Sequence, residues 1–308
     1  MRRLLIGAFL LLAGCGEAQE GRVVLLDEDY RVELAGTQAA GFTAVDGLLW
    51  NEGELLMADE AGVAVRRWRP GSRAATLADA QDGLSSPEDL VRDAAGNLYV
   101  TDDNIGGVRR IAPDGRVAVV AGPERGLPST EGLAITPTGV LLVGDGEAHR
   151  IVAIAPDGRM AELIGPQAGI GKPESLALDD AGNLYIADND AGTLYMRTAD
   201  GRLTTPIRGR EGFSPESIVW IDGILYITDS DHGVVSRYTP EAGLSPIAAL
   251  VGDLRNVQGI TSDGAGGLYV SVRAGEDERT GYVLRLARAE NAPVTSADAP
   301  PRNGTRRR

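Results

Sequence analysis

Pro87-Glu88-Asp89-Leu90, followed by Gly96-Asn97-Leu98-Tyr99-Val100-Thr101-Asp102, returns as Pro173-Glu174-Ser175-Leu176 with Gly182-Asn183-Leu184-Tyr185-Ile186-Ala187-Asp188. Further copies open at Asp46-Gly47-Leu48, Glu131-Gly132-Leu133, Pro215-Glu216-Ser217-Ile218 and Gln258-Gly259-Ile260. An acidic or amide residue therefore stands at 46, 88, 131, 174, 216 and 258, in steps of 42 or 43 residues. Within one copy, Leu98 to Thr101, Val108 to Ile111 and Val117 to Val120 are short apolar runs separated by a polar loop and a Pro113-Asp114-Gly115 turn. Four short strands per repeat, at blade length, predict an all-β, six-bladed β-propeller with four antiparallel strands per blade.

The ring has to close. The sixth copy supplies strands near Gly259 to Ser262, Leu268 to Val272 and Tyr282 to Leu286, after which the chain turns polar. It lacks an outer strand. Arg22 to Leu26, or Tyr30 to Leu34, has strand character and no blade of its own. One of these segments is expected to complete the last blade and cover its bare edge.

Outside the repeats the chain divides into a signal peptide over 1–14, an anchor linker over 15–21, the propeller over 22–290 and a disordered tail over 291–308. Arg2 and Arg3, the apolar stretch Leu4 to Leu12, then Leu12-Ala13-Gly14-Cys15 form an export signal too short to span a bilayer. Small residues before a lone cysteine resemble the lipobox of bacterial lipoproteins, in which the thiol takes a diacylglycerol. That resemblance implies lipidation of Cys15, outer-membrane placement facing the periplasm, and membrane contact through the anchor only. Cys15 is the only cysteine, so the exported domain is held by its core and not by disulfides. A formal charge of −14 argues against nucleic acid as a partner. Arginine replaces lysine everywhere except at Lys172, a bias that reads as genome composition. A monomer is expected.

Asp46, Glu88, Glu131, Glu174, Glu216 and Gln258 begin the innermost strands, so their side chains should converge on the channel mouth. Five carboxylates at that radius raise one another's pKa values or call for a cation. Calcium, with its six to eight oxygen ligands in loose geometry, is the natural candidate. A second recurring set, Asp59, Asp102, Asp145, Asp188 and Asp229, closes the second strands and is expected to accept backbone N–H groups of the loop that follows each. His149 and His232 fall in loops on the same face, where imidazole can act as a general base.

Val45-Asp46-Gly47-Leu48-Leu49-Trp50, with Gly53-Glu54-Leu55-Leu56 and Asp59, resembles the opening blade of the gluconolactonase and senescence-marker-protein family. The later Gly96-Asn97-Leu98-Tyr99-Val100 and Gly182-Asn183-Leu184-Tyr185-Ile186 are similar to NHL repeats. The first resemblance implies a divalent cation held by Asp46, Glu131, Glu174 and Glu216. It also implies hydrolysis of a lactone or ester at the mouth, with Glu174, His149 or His232 activating water. The second implies a propeller that grips a protein, glycan or small ligand on its top face without chemistry. The acids here exceed the charge of one divalent ion. Protonation, an arginine neighbour such as Arg125, or outward-turned carboxylates would relieve the surplus.

Overall fold

The structure is a computed structural model that describes residues 21–209, 211–275 and 278–289. The expected export signal, Cys15 and the 291–308 tail lie outside them. Among the described residues no helix is long and apolar enough to cross a membrane.

Six antiparallel sheets follow one another along the chain. The first is a meander of Leu48–Asn51, Glu54–Asp59, Ala64–Trp68 and Ala75–Asp79. The next three repeat it, opening on the inner strands Pro87–Arg92, Thr130–Ile135 and Pro173–Leu178. Inner strands of successive blades stand side by side, and the sixth, Asn256–Ser262, meets the first. The ring is closed.

Closure uses the N-terminus twice. Tyr30–Thr37 pairs antiparallel with Thr280–Arg288, from Tyr30 opposite Arg288 to Thr37 opposite Tyr282, and becomes the outer strand of blade six. Of the two segments with strand character, this one completes the last blade. Gly21–Leu25 instead pairs with Gly243–Gly252 and gives blade five a fifth strand. Four strands per blade therefore holds for five blades and is exceeded in the fifth. Tyr30 anchors both additions, buried with its hydroxyl 3.4 Å from that of Tyr226 and its ring under Arg288.

Sheets packed face to face bury both sides of the middle strands, which therefore read as nearly unbroken apolar runs. Leu184–Asp188 is buried at every position. Between blades one and two the core gathers Leu56, Val65, Leu90 and Val100. Between blades three and four it gathers Ile151, Leu176 and Ile186. Full burial of one such side chain contributes about 1.5–3 kcal/mol. Close approach of inner strands needs glycine at some seams: a Cβ on Gly259 would lie 2.0 Å from the Asp46 carbonyl oxygen.

Candidate functional site at the channel mouth

All six residues that open the inner strands reach one place. Asp46, Glu88, Glu131, Glu174, Glu216 and Gln258 line a narrow pocket at the end of the channel where those strands begin. The other end is a wider funnel, walled by side chains such as Leu49, Val91, Ala134 and Val219. One set of strands thus runs from an acidic mouth to an apolar one.

The recurring aspartates hold the mouth in shape. Each is buried, and a buried carboxylate needs donors. Ser85 and Ser86 donate their N–H groups to Asp102 at 2.8 and 3.0 Å, Gly171 and Lys172 to Asp188 at 2.7 and 3.1 Å, and Ser214 to Asp229 at 3.1 Å. Thr43 and Ala44 do the same for Asp59. These donors lie in the crossings just ahead of Asp46, Glu88, Glu174 and Glu216. The expectation of loop donors therefore needs an addition: the aspartates reach back to the crossing as well as onward. Asp145 differs, accepting from Ala148 and from the Arg150 guanidinium.

Two further tiers surround the ring. Two residues before each ring position stand Ala44, Ser86, Ser129, Lys172, Ser214 and Asn256. One residue beyond each recurring aspartate, or its counterpart Val272 in blade six, stand Glu60, Asp103, Gly146, Asn189, Ser230 and Arg273. These tiers dress the ring acids. Ser86 Oγ bridges Glu60 and Glu88 at 3.0 Å each. Asn189 and Ser230 donate to Glu216 at 2.7 and 2.8 Å. The Gln258 amide, with its nitrogen facing the ring, donates to Asp46 at 3.0 Å and to Glu216 at 3.3 Å.

Two cations neutralise part of the surplus, at opposite poles. Lys172 Nζ lies 2.8 Å from Glu174 Oε1 and 3.1 Å from Glu131 Oε1, between blades three and four. Arg273 Nη2 pairs with Asp46 and Glu60 across the seam of blades six and one. Arg125 plays no part in this: it donates outward to the carbonyls of Val120 and Gly158. Lys172, the one exception to the arginine bias and a residue to which the sequence assigned no role, is the charge partner of two ring acids.

Burial still dominates the protonation of the acids. It pushes Glu88 well above the ordinary glutamate range, and the charges of Asp46 and Glu131 push the same way. Glu174 is raised likewise by burial and then by Glu216 and Glu131, against the pull of Lys172. Glu131 is raised by burial to about 7 although Lys172 opposes it. Asp46 and Glu216 are raised by burial too, opposed by Arg273 and by the Ser230 hydroxyl respectively. One step down the channel, Asp89 is raised by burial to about 7 while accepting the N–H of Leu133 in the next blade at 3.0 Å. Burial pulls Lys172 down, but Glu174 and Glu131 overcome it and hold its ammonium protonated.

The histidines sit in loops beside the second strands, apart from the residues that line the cavity. His149 Nδ1 is 2.7 Å from the Gly171 carbonyl, and His232 Nδ1 is 2.8 Å from Asp229 Oδ1. Sequence reasoning missed Glu60 and Asp103, whose signal was their place immediately after a repeat's aspartate, and Arg273, which follows Val272 at the matching place in blade six. Cys15 lies outside the described residues.

No protein-family model matches the chain, and no curated protein matches it. Solved structures do. A protein put forward as a gluconolactonase superposes with a TM-score of 0.66 at 15% identity, covering 86% of this chain and 94% of that one. The calcium-binding protein regucalcin from Agrobacterium tumefaciens gives 0.66 at 16%, over 83% and 94%. Virginiamycin B lyase from Staphylococcus aureus, solved with quinupristin, gives 0.63 at 13%, over 84% and 100%. At such identities the likeness establishes a shared six-bladed propeller architecture.

Proposed function

We propose that this chain hydrolyses a small lactone or ester at the acidic mouth of its channel, as an exported, lipid-anchored propeller. The observation that carries the reading is the Glu131–Lys172–Glu174 row, in which an ammonium lies between the buried carboxyl of Glu131 and the partly buried carboxyl of Glu174. Groups arranged in this way can divide acid and base roles. Water attacks the carbonyl carbon and Glu131 takes its proton. Negative charge developing on the carbonyl oxygen faces the Lys172 ammonium. As the C–O bond breaks, Glu174, whose carboxyl burial pushes well above the ordinary glutamate range, protonates the leaving alkoxide. The product is the hydroxy acid, or an acid and an alcohol.

Calcium was the expected electrophile. Asp46, Glu131, Glu174 and Glu216 have the hard oxygens that calcium prefers, and one structural neighbour is described as a calcium-binding protein. As the side chains stand they do not fit a resident ion. Lys172 lies on Glu131 and Glu174, Arg273 lies on Asp46, and Asn189 and Ser230 take Glu216. No step is therefore assigned to a metal. A calcium reading is favoured at another place, the Asp46, Glu60 and Glu88 cluster, whose oxygens lie within 4.8 Å of one another. There an ion would have to displace Arg273.

A panel of lactones and aryl esters, assayed with chelator and with calcium, tests both forms. Glu131→Gln and Glu174→Gln should each lower kcat/KM on the order of 100-fold. Turnover unchanged in both variants would place the chemistry elsewhere, and ligand binding without turnover would favour the non-catalytic propeller. For the anchor, Cys15→Ala should release the protein from membranes.

A further inference from the structure

Twenty-nine arginines and one lysine make up the basic residues of the chain, and that single lysine stands in the mouth. Its tier carries Ala44, Ser86, Ser129, Ser214 and Asn256 in the other blades, so an ammonium there departs from the repeat. Its backbone N–H is held by Asp188 at 3.1 Å, as those of Ala44, Ser86 and Ser214 are held by their own aspartates, and its side chain reaches Glu131 and Glu174 of the ring. Lysine presents a compact point charge where arginine would present a broad planar fork. Glu131 is only 3% exposed, and its Oε1 faces the Lys172 ammonium at 3.1 Å with no other partner among the described residues. A buried carboxylate oxygen whose one counterpart is a compact cation is placed as a ligand oxygen is placed toward a metal ion.

We propose that Lys172 is a tethered cation that occupies the divalent-ion position between Glu131 and Glu174 and reserves it against calcium. The proposal builds on the mouth as the working site and explains how hydrolysis there proceeds without a metal at that position. Without Lys172, two inward carboxylates of adjacent blades face each other across a gap that calcium, with its loose oxygen geometry, can fill. A site that binds only the folded state raises Tm with ligand concentration.

The test compares thermal unfolding of wild type, Lys172→Met, Lys172→Arg and Lys172→Met/Glu131→Gln across a calcium titration into the millimolar range. Lys172→Met should gain a calcium-dependent rise in Tm beyond any shift of the wild type. Lys172→Arg should behave as wild type, and the added Glu131→Gln should abolish the gain. A Lys172→Met protein with no gain, or a gain that survives Glu131→Gln, overturns the proposal. Should Lys172→Met fold poorly, the wild type decides alone. Lysine labelled with 13C at Cε gives one resonance from this chain, and calcium should leave it in place. Movement of that signal to the position of an unpaired lysine would mean that calcium displaces the ammonium. None of these measurements uses a substrate, so absence of lactonase activity and failure of the cation proposal are separate outcomes.

Discussion

The two cationic poles of the mouth neutralise the same kind of acid by different routes. At the blade three and four pole, Lys172 arrives on a crossing, and its side chain keeps 38% exposure. At the opposite pole, Arg273 arrives at the end of the Leu268–Ala274 strand and keeps 16%. The Lys172 pole lies inside a continuous run of repeats. The Arg273 pole lies on the seam where the last blade meets the first, so its pairs with Asp46 and Glu60 also join residues 213 or more positions apart in sequence. One pole is a local feature of the mouth, and the other couples mouth chemistry to ring closure.

The largest expected effect tests the seam itself. Removing residues 21–34 strips blade five of its fifth strand and blade six of most of its outer strand, so no cooperative unfolding transition should remain by circular dichroism. Removing 291–308 should leave Tm within a degree or so of the full chain. Comparable transitions in the two truncations would show that the N-terminal strands are dispensable to closure.

Next in size come the poles. Arg273→Met should destabilise by about 3–5 kcal/mol in urea, because it leaves Asp46 and Glu60 without their buried counter-charge. Lys172→Met should cost about 1–3 kcal/mol, its ammonium being partly solvated. Equal losses would remove the distinction drawn between the poles.

The smallest effect is with pH, and its sign is set by raised carboxyl pKa values. Glu131 moves from 4.5 to about 7 and Asp89 from 3.8 to about 7, so the folded chain holds more protons than the unfolded chain across that window. Their contribution is fully present below the unfolded values and is lost as pH rises through about 7. Tm should therefore be a few degrees higher at about pH 5 than at about pH 7.5 in low salt, and Glu131→Gln should flatten part of that slope. Lys172→Met should steepen it, since its partners then depend on protonation alone.

How much could be read beforehand differs by residue. The six ring positions were legible because each occupies the same place in a repeat of constant length. The recurring aspartates were legible as structural for the same reason, although their reach back to Ser85, Ser86 and Lys172 was not. Lys172 and Arg273 were missed because each occurs once and breaks the pattern of its tier; periodicity detects what repeats and is blind to the exception. The choice between Arg22 to Leu26 and Tyr30 to Leu34 as the closing strand depended on which edge each could reach, a property of the assembled ring.

The order of residues alone therefore determined the number of blades and the gathering of acids at one end of the channel, because strand length, turn spacing and side-chain alternation are local. Only the folded ring decided which charges meet. Arg273 finds Asp46 because circular closure brings the last blade to the first, and Lys172 finds Glu131 because neighbouring blades bring their inner strands to one radius.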